Sequence, residues 1–190
     1  MRKILTKEFF DKPVVTVAEG LLGKFLVRRI GDQTLAVMIT ETEAYDGPRD
    51  KACHARFGRT PRTEVMFGEA GRFYVYFNYG IHWLLNIVTG PVDYPAAVLI
   101  RAGVPAQVAS SKWQVAKPIQ GPARLTKYLM IDKTLNRKPA NKQSGLWVED
   151  RGIRIPSKQI LATPRVGVEY AGVWAKKLYN FQLVDNGIDL

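Results

Sequence analysis

The sequence holds one cysteine, Cys53, and two histidines, His54 and His82. A lone thiol forms no internal disulfide, and two histidines with one cysteine are too few for a metal centre. No metal and no cofactor is expected. Long apolar runs are also missing: stretches such as Ala96 to Ile100 fall far short of the roughly 20 residues of a membrane helix. The opening MRKILTKEFF lacks the apolar core and small-residue cleavage site of a secretory leader. No phosphate-binding P-loop, dinucleotide fingerprint or serine-nucleophile elbow is present. These absences point to an intracellular, reducing compartment (cytoplasm or nucleoid in a bacterium, nucleus in a eukaryote) and to no membrane partner.

Acidic residues are scarce as well, with 17 Asp and Glu against 28 Lys and Arg, a net charge of +11. Residues 1–50 hold eight of each sign, so the whole excess lies beyond them. Residues 101–142 carry nine basic side chains, among them Arg101, Lys112, Arg124 and Lys142, and one acid, Asp132. The run Lys51, Arg56, Arg59 and Arg62 contains no acid. Charge this uneven suits a protein that meets phosphates, with Arg59 and Arg62 as candidate DNA contacts. A solvated basic face is the plainer alternative.

The 190 residues suffice for one domain with a sizeable core. Thr16 to Glu19 fits a capping box and Gly23 a helix stop. Lys24–Ile30 and Leu35–Tyr45 read as strands about a turn at Gly31-Asp32-Gln33. Unbroken alternation places Leu35, Val37, Ile39, Glu41, Glu43 and Tyr45 on one face, so that a core face runs out into a polar pocket. Arg72–Asn78 and Ile81–Val88 read as a hairpin with Tyr79 near its tip. Ala96–Arg101 is a further strand, and Gly121-Pro122 opens a helix with Leu125, Tyr128 and Leu129 at i, i+3, i+4 spacing. The remainder, including Leu146–Val148, Ile153–Ile155 and Phe181–Val184, reads as short strand and loop. The expected fold class is α+β: one domain spanning 1–190, on a curved, mainly antiparallel sheet with short helices and a protruding β-hairpin.

The densest chemistry lies between Glu41 and Asn86. Glu41 and Glu43 are carboxylates able to orient or deprotonate water and to stabilise an oxocarbenium-like state, although a pair of acids at a strand end is more often merely solvated or salt-bridged. Tyr45, His54 and Tyr76 can sandwich a flat base, with stacking worth about 1–3 kcal/mol per base and a cation–π gain for a charged one. Tyr74 reads as a core filler. Tyr79, beside Gly80, has little core to fill and suits a wedge into a base stack.

The ordered set Glu8-Phe9-Phe10-Asp11, ETEAY, GP-x-D-x-A-x-H, G-x-x-YVY-x-x-YG, Asn86, LIRA, GPARL and PRVGVEYAG resembles the alkyladenine (3-methyladenine) DNA glycosylase family of mixed α/β type. The resemblance covers most of the chain. It implies a monofunctional glycosylase that flips alkylated or deaminated purines out of double-stranded DNA and hydrolyses the N-glycosidic bond, leaving an abasic site. It also implies that Glu43, rather than Glu41, activates water and that Arg101 orders the site near it. Tyr45, His54 and Tyr76 would enclose the flipped base, with the His54 backbone N–H donating to its edge. Asn86 would crowd the exocyclic amine of guanine, and Tyr79 would fill the gap in the duplex. A monomer is expected. Leu178-Tyr179-Asn180-Phe181 departs from the Pro-Trp-Arg-Phe-like run common in the family, and Gly103 to Lys117 has no clear counterpart. A non-catalytic nucleic-acid binder and a hydrolase of free nucleosides are the rival readings; the second has little use for the cationic excess or for Tyr79.

Overall fold

The computed structural model describes residues 2–106 and 117–184; Lys112, counted in the basic excess, lies outside them. Among the described residues, ten strands form one open, curved sheet: β1 (Lys3–Ile4), β2 (Phe25–Ile30), β3 (Gln33–Tyr45), β4 (Phe73–Asn78), β5 (His82–Thr89), β6 (Ala96–Ala106), β7 (Ile119–Gln120), β8 (Leu146–Asp150), β9 (Ile160–Thr163) and β10 (Asn180–Leu183). Three short α-helices accompany it: α1 (Lys7–Phe10), α2 (Val14–Gly20) and α3 (Pro122–Tyr128). The main order is β1-β8-β2-β3-β6-β5-β4, with β10 beside β3, β9 beside β10 and β7 beside β6. Every pairing is antiparallel. The α+β expectation, a curved antiparallel sheet with few short helices, is met. No helix among the described residues is long and apolar enough to cross a membrane.

The long strand β3 positions the site. One edge pairs with β6 from Ala36 to Tyr45, while the other pairs first with β2 and then with β10. The expected unbroken alternation along β3 does not hold. The register with β6 shifts between Ile39 and Glu41 and again between Glu41 and Thr42. Each irregularity inserts an unmatched residue, Thr40 on β3 and Arg101 on β6, and side-chain parity reverses there. Val37 and Ile39 face the main core, and so does Ala44 beyond the bulge. Thr42 also turns that way and donates its hydroxyl to the Ala18 carbonyl of α2. Glu41, Glu43 and Tyr45 therefore lie on the opposite face, continuing the side that carries Ala36 and Met38. Gly103 makes this crossing possible: a Cβ there would stand 2.3 Å from Val37 and 2.5 Å from the Met38 carbonyl oxygen.

The main core lies on one side of the sheet, where Phe73, Val75, Leu85, Ile87, Val98 and Ile100 meet Leu21 and Leu22 and the apolar faces of α2 and α3. Full burial of such a side chain contributes about 1.5–3 kcal/mol. A second, smaller cluster on the other side gathers Cys53, Ala55, Met66, Tyr74, Val88 and Ala97 against Tyr45 and Tyr76. That second face carries the site.

Several local expectations change. Helix α2 begins at Val14 after Pro13, so Thr16 is not its cap; Pro fixes a backbone angle suited to helix entry. In α3 and at the residue that caps it, Leu125 and Leu129 are fully buried, but Tyr128 is 39% exposed. Of the remainder read as short strand and loop, Ile153–Ile155 is loop, and the chain pairs later, as β9, which the sequence did not mark. Strand β6 runs past Arg101 to Ala106. The hairpin of β4 and β5 is as expected, closing through Tyr79, Gly80 and Ile81 with Asn78 opposite His82.

Candidate active site

A cavity of about 310 Å³ opens on the second face of the sheet. Its walls come from β3 (Tyr45), the following loop (Ala52, Cys53, His54), β4 (Tyr74, Tyr76), β5 (Leu84, Asn86) and β6 (Leu99, Arg101). The start of α3 and the segment Val166 to Tyr170 close it, and Tyr79 and His82 of the hairpin stand at its edge. Tyr45, His54, Tyr76, Asn86 and Arg101, scattered over nearly 60 positions of sequence, thus all line one cavity.

The aromatic wall is built by alternation. Tyr74 and Tyr76 are two apart on β4 and share a face, with ring centroids 5.1 Å apart. His54 meets Tyr76 edge-on at 4.7 Å. Its Nδ1 lies 2.9 Å from the Tyr74 hydroxyl. Burial, reinforced by the Arg62 and Arg56 guanidiniums, takes the imidazole down to about 4, so His54 is neutral at pH 7. Burial, then Glu43, pushes the Tyr45 phenol well up. Burial likewise pushes up Tyr76, and takes the Cys53 thiol to about 12, leaving it an inert wall residue. Asn86 is oriented by donating its amide to the Tyr74 carbonyl at 3.2 Å.

Glu43 has no solvent-exposed surface. Its Oε1 accepts from the Val166 backbone N–H at 2.8 Å and from Asn180 Nδ2 at 3.1 Å. Its Oε2 accepts from the Tyr45 hydroxyl at 2.9 Å and lies 3.4 Å from Arg101 Nη1. Donors converging on both oxygens suit a carboxylate, which is acceptor-only. The acid therefore does not face the cavity openly; Tyr45, Arg101 and Val166 form the wall in front of it. Glu41 shares two of the same partners, accepting from Arg101 Nε at 2.9 Å and from Asn180 Nδ2 at 2.8 Å. Burial opposes the Arg101 charge, but Glu43 and Glu41 outweigh it and raise its pKa.

The two other candidate cations are engaged. Arg59 pairs with Glu64 at 2.9 Å and with Asp93, its guanidinium over the Phe67 ring. Arg62 lies over the Tyr76 ring at 4.8 Å and donates from Nε to the Tyr74 hydroxyl at 3.3 Å. Tyr79 is 89% exposed at the hairpin tip, with Ile81 exposed beside it.

Sequence reasoning missed four parts of the site. Tyr74 is the buried core residue expected, but its hydroxyl also joins His54 to Arg62; the i, i+2 spacing with Tyr76 was the available signal. Asn180 bridges both glutamates although it sits in the run that departs from the family pattern. Asp50 and Arg165 were noted only as letters in motifs. They form a fully buried ion pair behind Tyr45, where Arg165 lies 4.8 Å over the Tyr45 ring.

A family model described as methylpurine-DNA glycosylase matches residues 8–187. Similar proteins carry the name "Putative 3-methyladenine DNA glycosylase". One from Psychrobacter cryohalolentis is 43% identical, covering 89% of this chain and 86% of its own. Another, from Methanocella arvoryzae, is 44% identical over 94% and 91% of the two chains. One from Legionella pneumophila is 40% identical over 98% and 97%. With nearly its whole length matched in this way, the chain belongs to the methylpurine-DNA glycosylase family, hydrolases of DNA repair.

Proposed function

We propose that this glycosylase extrudes a damaged purine from duplex DNA into the cavity and that Glu43 activates the water that cleaves it from its sugar. The supporting observation is the placement of Glu43. It is held by Val166, Asn180, Arg101 and Tyr45, and two of these side chains, Tyr45 and Arg101, are themselves cavity walls. Tyr45, His54 and Tyr76 enclose the base, and the His54 backbone N–H donates to its edge. Asn86 crowds the exocyclic amine that marks normal guanine. Water oxygen attacks C1′, its proton passes to Glu43, and the C1′–N bond breaks with its electrons leaving on the base. The products are a free purine and an abasic sugar. Because Glu43 is enclosed before substrate arrives, water reaches Oε2 by displacing the Tyr45 hydroxyl, the one partner of that oxygen that is free of a formal charge.

Tyr79 fills the space vacated in the duplex. Flipping costs a few kcal/mol and least at damaged or mispaired bases, which adds selectivity. Arg59 and Arg62 face the phosphates; an exposed pair such as Arg59 with Glu64 is worth only about 0–1 kcal/mol, so a phosphate can replace the acid. The enzyme acts inside the cell, as a monomeric single domain spanning 1–190.

Base release from duplexes carrying 3-methyladenine, 7-methylguanine, hypoxanthine or ethenoadenine tests this reading. Glu43→Gln is expected to bind damaged duplex yet release no base. Release at the wild-type rate from that variant defeats the assignment. Binding without release from any lesion by the wild type leaves a non-catalytic binder, and release from free nucleosides alone leaves a nucleoside hydrolase.

A further inference from the structure

The Tyr74 hydroxyl has two neighbours that the enclosing of a base does not by itself require. It accepts the Arg62 Nε–H at 3.3 Å and lies 2.9 Å from His54 Nδ1. Tyr74 is buried, and its hydroxyl has no further protein partner among the described residues. A phenol carries one proton. With one lone pair taken by Arg62, the satisfied arrangement sends that proton to His54 Nδ1. A proton already on Nδ1 would crowd two donors onto the Tyr74 oxygen and strand its own hydrogen in a buried site.

We propose that Arg62 and Tyr74 are positioning residues whose two-bond relay fixes His54 as the neutral Nε2–H tautomer, so that the cavity admits a purine already carrying positive charge and offers no imidazolium to protonate one that does not. The first half stands on the hydrogen bonds alone; the second rests on the glycosylase reading above. Charge on the base matters because N3- or N7-alkylated purines leave as neutral molecules, whereas hypoxanthine leaves as an anion unless an acid protonates it. An imidazolium edge-on to Tyr76 would repel the first class and assist the second. The other groups around His54 act in the same sense. The Arg62 and Arg56 cations oppose its protonation, and Tyr76 and Cys53 hold their protons too tightly to serve as acids.

The test is NMR of protein with 15N-labelled histidine, in which His54→Asn identifies the His54 signals against those of His82. The wild type is expected to show a protonated Nε2, a bare Nδ1 and a titration midpoint below that of ordinary histidine. Tyr74→Phe and Arg62→Met are each expected to raise the midpoint by about one unit, through loss of the donor or of the cation. A wild-type Nδ1–H, an ordinary midpoint, or a midpoint unmoved in both variants overturns the relay. The kinetic arm compares single-turnover release of 7-methylguanine and hypoxanthine from duplexes. In Tyr74→Phe the ratio of the two rates is expected to fall about tenfold relative to wild type as pH drops through the raised midpoint. A moved midpoint with an unmoved ratio overturns the selectivity half. If the wild type releases neither base, the glycosylase reading fails while the NMR arm still decides the relay.

Discussion

Arg165 grips Asp50 with both terminal nitrogens, at 2.5 and 2.9 Å, and neither side chain has any solvent-exposed surface. The pair also organises backbone. Asp50 accepts the Asp46 and Ala52 N–H groups, while Arg165 donates to the carbonyls of Ala44 and Trp174. The strand end, the loop after it and the segment that closes the cavity are thus tied together behind the Tyr45 ring. Asp50→Asn would leave a guanidinium buried without its counter-charge. Loss of one partner of a buried pair costs about 3–5 kcal/mol, and that loss is expected in urea unfolding, with base release falling in parallel. Arg165→Lys is expected to recover little of it, because an ammonium cannot reproduce the two-pronged contact. Near-wild-type stability in Asp50→Asn would show that the pair organises nothing.

Tyr79 adopts φ +50°, a left-handed conformation that a bulky residue rarely takes, at the most exposed point of the hairpin. Its ring gains no burial in return. Tyr79→Asn is therefore expected to stabilise the isolated protein by up to about 1 kcal/mol, since Asn tolerates this region better. The same change is expected to weaken capture of flipped bases and to spare weak nonspecific DNA binding. Urea midpoints and lesion-duplex titrations measure the two effects. A ring retained for DNA predicts that they move in opposite directions; equal losses in both would make Tyr79 an ordinary structural residue.

The hairpin carrying Tyr79 and the aromatic spacing on β4 were legible because they depend on neighbours in sequence. The face on which Glu43 lies was not. Alternation from Leu35 onward puts it with the core, and the double bulge that reverses this depends on Gly103, some 60 residues away, letting two backbones approach. Asn180 was illegible for a related reason: it reaches Glu41 and Glu43 only because β10 adds beside β3, and nothing local in Leu178 to Phe181 announces that pairing. Motifs gave the residues of the cavity wall, while the long-range register decided what stands behind it.

His54 also sets an acid limit on stability. Its native pKa of about 4 lies below the 6.5 of an unfolded histidine, so between these values the unfolded chain binds the proton and the native one does not. Stability is thus unaffected by His54 above about pH 6.5, declines as pH falls toward 4 and levels off below it. The full loss amounts to roughly 3 kcal/mol. Urea unfolding between pH 8 and 4 measures it, and His54→Gln is expected to flatten that part of the curve. An equal slope in the variant would assign the acid sensitivity to other groups.

Asn180 is a neutral donor, as the Tyr45 hydroxyl is, in a cluster built on two carboxylates and one guanidinium. Its Nδ2 donates to Oε1 of both glutamates, and its own Oδ1 is held by Gln182 Nε2 at 2.9 Å. Asn180→Asp keeps the shape but turns a donor toward the glutamates into a third acceptor with negative charge. A third acid beside Arg101 adds like-charge repulsion, which favours keeping one proton in the cluster and, on the function proposed above, leaves Glu43 less able to accept another. Base release is expected to fall at pH 7 and to recover on raising the pH by about two units, with lesion binding little changed. Asn180→Leu, which removes the donor without adding charge, is expected to lower release without moving the pH profile. An unshifted profile in Asn180→Asp would mean that this amide does not govern the protonation of Glu43.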